Sequence, residues 1–258
     1  EGNVYLGIVE NVLPGMQAAF VNIGKEKNTF IHIRDVIPKV SNETGNKNED
    51  FSNYNIKDYL KSGEPILVQV KKDSTNKKGA RISTHLTIPG RFVVIMPDEK
   101  FITISQKIDD EKERKRLKDI AKKNLKEDCG AIIRTSAVAK SEEEIIEDIT
   151  RTMEKYEKIK EAFKAEAQKG KNIKPKILYE SENIINRIIT DLMDQDLTRI
   201  ITNSEKVYDS IKEKLEDEKK NLKVELQDDI LTMYGLKEQL EKLENRKVWL
   251  KCGGFITI

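Results

Sequence analysis

Three hydrophobic patterns follow one another along this chain. Short apolar runs with period-two alternation fill the first ninety or so residues, longer stripes at steps of three and four follow, and then the two kinds alternate. Val4-Tyr5-Leu6, Gln17–Ile23, Thr29–Ile33, Pro65–Val70 and Arg81–His85 are rich in β-branched and aromatic residues, and Pro14-Gly15, Gly24 and Gly63 punctuate them. These runs predict five short strands, which suits a small barrel such as the OB-fold. Lys39–Gly63 is polar and Asn-rich and predicts a long loop with one helical turn at Ile56–Leu60.

Beyond the barrel, Phe92–Met96 and Phe101–Ser105 flank Pro97–Lys100 and predict a hairpin. Asp110–Lys126 predicts a charged helix whose buried stripe is Leu117, Ile120, Ala121 and Leu125. Ala131-Ile132-Ile133 predicts a buried strand that stops at Arg134 and Thr135. Ser141 stands three residues before Glu144, the spacing of a capping box, and opens a helix to about Lys169. Its stripe is Ile145, Ile149, Met153, Tyr156, Ile159 and Phe163, a pattern that core packing explains; Gly170 stops it and Pro175 lies beyond.

The remainder alternates. Strands are predicted at Ile177–Tyr179, Leu197–Thr202 and Leu222–Leu226, and helices at Asn183–Met193, from Ser204 through Glu218, and at Lys237–Leu243. Such alternation predicts an α/β unit. Arg246–Leu250 and Phe255–Ile258 read as two strands across Lys251-Cys252-Gly253-Gly254, a second hairpin.

Composition narrows the function classes. The chain has 258 residues, 37% apolar and 36% charged, with a formal net charge of +2. It is not a polycation, so a nucleic-acid surface has to come from local clustering. Cys129 and Cys252 are far apart and have neither a second Cys nor a His nearby, which fits neither a disulfide framework nor a zinc site. A reduced, cytoplasmic protein is expected, and no apolar run is long enough to span a bilayer. Strand-like patterns at both ends make this chain an expected piece of a longer protein.

Two constellations carry candidate chemistry. Arg134 offers a fork of N–H donors and Thr135 a hydroxyl at a strand end, a pair able to hold one phosphate, although an Arg there is ordinarily a solvated charge. In the barrel, Phe30 and His32 are two apart and share a strand face, with Phe20 on another strand. Lys71, Lys72, Lys77, Lys78 and Arg81 surround a loop containing Asp73 and Gly79. Rings that stack bases beside cations that neutralise phosphates suit single-stranded RNA, whereas Phe is ordinarily core.

GxVxxV near the start, AAFVNIG, TFIHI and the basic turn together resemble the RNA-binding domain named after ribosomal protein S-one. PGRFVVIMP, ISQKI, GAIIRTSAVAKS and RKVWLKCGGFITI come after them in order, and with them the whole chain resembles the ribonuclease E/G family of bacterial endoribonucleases.

That resemblance implies an α+β multidomain protein. It would have an OB-fold barrel of the S-one type at residues 1–87 and a 5′-sensor-like α/β domain at 88–175. A partial ribonuclease-H-like α/β domain would follow at 176–245, and the first strands of a nuclease domain at 246–258. By the same resemblance Phe20 and Phe30 contact RNA, with Lys78 before the last barrel strand. Arg134 and Thr135 hold a 5′-monophosphate, and Gly90 and Val94 line the terminal nucleotide. The residues themselves add His32 for stacking and Lys72 for phosphate neutralisation.

Departures from the family are also visible. Gln106 stands where better-known members carry Arg, so Lys107 beside it is the candidate substitute. Ile23 replaces an aromatic often present in the barrel. The resemblance further implies a Mg²⁺-dependent nuclease of RNA processing and decay whose metal-binding aspartates and zinc element lie downstream of GGFITI. Asp228 and Asp229 are adjacent, which points them apart, so no catalytic or metal-binding residue is expected here. Oligomerisation is implied through parts mostly absent from this stretch. The competing expectation is a general RNA-binding or ribosome-associated module without end sensing or nuclease parentage.

Overall fold

Val4–Leu13 forms β1, the strand on which the first of two units is built. Its side chains alternate between two interiors, with Tyr5 in the barrel core and Val4 in the core of the neighbouring sheet. The computed structural model describes residues 1–37, 54–75, 78–183, 185, 187–189, 197–217, 222–244 and 246–257. Most of the expected long loop, and Lys77 of the expected basic loop, lie outside them. The described chain forms two units, Glu1–Ser181 and Glu182–Ile258.

In the first unit, β1 is joined by β2 (Ala18–Asn22), β3 (Thr29–His32), β4 (Pro65–Lys72) and β5 (Arg81–Ser83). The order β1-β2-β3-β5-β4 closes through β1–β4, a five-stranded barrel with OB-fold topology. Among the described residues of the barrel, β3 and β5 pair in parallel, at Phe30 and Arg81. Along β2 and β3 the period-two pattern turns Ala19, Val21 and Ile31 inward, with Thr29, whose buried hydroxyl donates to the Val21 carbonyl at 2.7 Å. Phe20, Phe30 and His32 are left half-buried on the outer face. The helical turn expected near Ile56 is a 3-10 turn, Ile56–Asp58.

The second sheet of this unit runs β6 (Ile88–Pro89), β7 (Val93–Pro97), β9 (Cys129–Ile133), β8 (Ile102–Ile104). This corrects the expected hairpin: β7 and β8 do not pair with each other, because β9 lies between them, antiparallel to β7 and parallel to β8. The physical reason is the crossover helix α1 (Glu111–Asn124). Its stripe Leu117, Ile120 and Ala121 needs a sheet face, and the β8-α1-β9 crossover sets β9 beside β8. Strand β9 is buried along almost its whole length and takes the centre. Helix α2 (Glu142–Ala167) packs on the same sheet and begins with the expected capping box, Ser141 to the Glu144 amide and Glu144 back to the Ser141 amide.

After α2 the strand expected at Ile177–Tyr179 forms as β10 (Lys176–Tyr179), but it pairs antiparallel with β1. It therefore extends the barrel sheet and lies within the first unit, Glu1–Ser181.

In the second unit, β11 (Arg199–Thr202), α3 (Glu205–Asp217) and β12 (Lys223–Leu226) form a parallel β-α-β unit. Its small core holds Ile189, Ile211 and Leu215. The helix expected at Asn183–Met193 falls partly outside the described residues, as does Glu218 at the expected end of α3. Short α4 (Ile230–Met233) and α5 (Leu236–Leu243) come next, and then β13 (Lys247–Trp249) pairs with β14 (Phe255–Thr257) as the expected hairpin. Among the described residues no helix is long and apolar enough to cross a membrane.

Candidate functional site

The ends of three strands meet at one edge of the second sheet. Ile133, the last residue of β9, is level with Val93 at the start of β7 and with Ile104 at the end of β8. The turn entering β7 and the loops leaving β8 and β9 therefore converge: Gly90–Val94, Ser105–Lys107 and Arg134–Thr135. The Ser105 amide donates to the Ile133 carbonyl and the Arg134 amide to the Phe92 carbonyl, so these loops are joined through backbone as well. Arg134 is half-buried and an Nη of its guanidinium donates to the Gly90 carbonyl at 3.2 Å; Thr135, Gln106 and Lys107 are exposed. All six residues expected around a 5′-phosphate thus lie at one sheet edge.

A residue absent from the sequence-based expectations organises this edge. Asp148, buried on α2, accepts hydrogen bonds from three consecutive amides, Arg91 at 2.9 Å, Phe92 at 2.7 Å and Val93 at 3.1 Å. A carboxylate satisfied by three N–H groups is a strong local anchor. The turn also needs Gly90, since a Cβ there would lie 2.6 Å from Asp148 Oδ2 and 2.5 Å from Thr152 Oγ1. Ser136 adds a bond from its hydroxyl to the Arg91 carbonyl at 2.8 Å. The sequence did carry a signal for Asp148: it stands three after Ile145 and four before Thr152, a carboxylate on the buried stripe of its helix.

The barrel constellation is a separate surface of the same unit. Phe20 and Phe30 are directly opposite across β2 and β3, with ring centroids 6.2 Å apart and edge-to-face. His32 is level with Ala18 on the same outer face and accepts from the Arg34 amide through Nδ1. Burial, and then the Arg34 guanidinium, push its imidazole below the ordinary value, which favours the neutral ring. Lys72 and Lys78 are exposed on either side of the β4–β5 loop, which folds back through Thr75 and Lys78. Gly79 allows that loop to lie against β3, since a Cβ would meet the Asn28 carbonyl oxygen at 2.0 Å.

Two members of the expected basic cluster are engaged within the fold. Lys71 turns to Gln69 and Thr87, and Arg81 holds Asp35 through Nε at 3.1 Å and Nη2 at 2.9 Å.

Among the described residues no group of three or more His, Cys, Asp or Glu could hold a metal ion. Asp229 caps α4 by accepting from the Thr232 amide at 3.3 Å.

A closed OB barrel joined to a four-stranded α/β layer describes the architecture of the first unit, and sequence relatives supply the family. The chain belongs to the ribonuclease E/G family, whose sequence pattern matches residues 87–258. Ribonuclease G of Salmonella typhimurium is 33% identical over this whole chain, and ribonuclease G of Escherichia coli K12 is 32% identical; the match covers 52% of each of them. Ribonuclease E of a Nostoc species is 35% identical over the whole chain and is covered over 37% of its length. The chain thus spans about half the length of the ribonuclease G relatives it matches.

Proposed function

We propose that this chain is the RNA-gripping and 5′-monophosphate-recognising part of a single-strand-specific endoribonuclease of the ribonuclease E/G type, working in cytoplasmic RNA processing and decay. The observation that carries this reading is the strand register that gathers Arg134, Thr135, Gly90, Val94, Gln106 and Lys107 at one sheet edge. A 5′-terminal monophosphate has more free oxygens and more charge than an internal diester. A guanidinium fork with an adjacent hydroxyl distinguishes the two, because each extra anionic oxygen accepts a further charge-assisted bond. Lys107, beside Gln106, supplies the second cation.

The barrel contributes affinity without end selectivity. Bases stack on Phe20, Phe30 and His32 while Lys72 and Lys78 neutralise phosphates. In the parent enzyme, holding the 5′ end and the adjoining strand together would position RNA across a nuclease site, converting encounter into an intramolecular step. That nuclease chemistry needs Mg²⁺ held by residues outside this chain. The chain alone is therefore expected to leave RNA intact; Mg²⁺-dependent cleavage by the pure chain would overturn this.

The test is fluorescence anisotropy with one short A/U-rich single-stranded RNA bearing either a 5′-monophosphate or a 5′-hydroxyl. Tighter binding of the monophosphate, lost in Arg134→Ala, is expected. Equal binding of both RNAs would overturn end sensing and favour a general RNA-binding module.

A further inference from the structure

We infer that the first two turns of α1 are a clamp that sets the spacing of the loops around the candidate 5′-phosphate site, with Glu113, Arg114 and Arg116 as its positioning residues. The inference rests on the reading of that edge as a phosphate site. It adds residues that touch neither the proposed phosphate nor the terminal nucleotide.

Two loops end on these three side chains. Arg114 Nη1 donates to the Ser105 and Ile108 carbonyls, both at 2.9 Å, and so holds the loop that carries Gln106 and Lys107. Arg116 Nη2 donates to the Lys140 carbonyl at 3.0 Å, and Glu113 Oε1 accepts from the Ala139 amide at 3.1 Å. Glu113 and Arg116 are also bonded to each other, through Nε at 2.8 Å and Nη2 at 2.7 Å. They are three apart on α1 and so share a face. The Arg116 hydrogen bond holds the Glu113 carboxyl below its ordinary value.

The second loop needs holding. Ala139 has a φ of +58°, a left-handed conformation that an alanine seldom adopts and that surrounding structure must impose. The Ala139 amide and the Lys140 carbonyl are the two groups the Glu113–Arg116 pair grips. The same loop reaches the third side of the edge, since the Lys140 ammonium lies 5.7 Å from the centre of the Phe92 ring beneath the Gly90–Val93 turn. Arg134 and Thr135 lie only four to five residues before Ala139. A relaxed 138–141 segment would therefore let the guanidinium drift relative to Gln106 and Lys107.

The experiment compares the intact chain with Glu113→Ala and Glu113→Gln. It uses the 5′-monophosphate and 5′-hydroxyl RNAs, and amide hydrogen exchange over residues 138–141 without RNA. Glu113→Ala should speed that exchange and reduce the monophosphate-to-hydroxyl affinity ratio by about tenfold, the scale of one charge-assisted bond, with hydroxyl RNA binding unchanged. Glu113→Gln keeps one acceptor for Ala139 and should retain part of the ratio. An unchanged ratio in Glu113→Ala, with or without faster exchange, would overturn the clamp and leave the phosphate-site reading standing. No preference in the unmodified chain would overturn that reading, and the clamp's role with it.

Discussion

Gly90 and Asp148 are in contact across 58 residues of sequence, with no room for even a methyl group between the glycine and the carboxylate. Gly90→Ala must push the turn off α2 or break the bonds that Asp148 accepts. Overpacking of this kind costs about 1–3 kcal/mol. Urea denaturation should show a lower midpoint, and the preference for 5′-monophosphate RNA should fall while binding of 5′-hydroxyl RNA by the barrel persists.

Asp148→Asn tests the anchor without changing its shape. The amide offers one acceptor oxygen and turns an NH₂ group towards backbone N–H groups, leaving buried donors unsatisfied. A loss of roughly 2–3 kcal/mol is expected, measured by the same denaturation. A change below about half a kilocalorie would mean that the three amides find other partners.

For the barrel, Phe20→Ala and Phe30→Ala are expected to weaken single-stranded RNA binding by about 1–3 kcal/mol each, whatever the 5′ end. The rings are half-buried and pack edge-to-face on each other, so the stability cost should be smaller, about 1 kcal/mol.

Lys72→Ala and Lys78→Ala should act through ionic strength. Each lost phosphate contact reduces the slope of log affinity against log salt by about 0.7 for a single strand. An unchanged slope would remove that lysine from the RNA path. Arg81 should behave differently because Asp35 already occupies it, and its substitution should lower barrel stability.

One pH dependence comes from the end of α2. Glu166 accepts from Lys169 at 2.5 Å and from Lys176 of β10 at 2.7 Å, and these hydrogen bonds bring its carboxyl down to about 2. The folded value lies below the unfolded one, so the stabilisation is present above the ordinary carboxylate value of 4.5 and fades as pH falls from there towards 2. Glu166→Gln should be less stable than the unmodified chain at pH 7, and the two should converge near pH 2 in thermal melts.

Much of this was legible in the chain because the signals were local. The alternation in Thr29–His32 set Phe30 and His32 on one face, and Ser141 with Glu144 fixed the start of α2. The end of the apolar run at Ile133 marked Arg134 and Thr135. Partners distant in sequence were not legible. Adjacent strands with a short turn suggest a hairpin, and only the demand of α1 for a sheet face brings β9 between β7 and β8. Nothing local tells that Lys176–Tyr179 pairs with β1, or that Glu113 reaches Ala139. The anchor Asp148 was written into its helix stripe as a polar intruder, but its three amides come from a turn more than fifty residues earlier.

The pairing of β10 with β1 brings the two ends of the first unit side by side, where the Ser181 amide donates to Asn3 Oδ1 at 3.0 Å. A domain whose entry and exit coincide is portable. It can be hosted within another fold at a single point of the host backbone, because the host need bridge only the gap between neighbouring strands. The barrel and the second sheet therefore form one segment whose two ends, Asn3 and Ser181, share a single place of attachment.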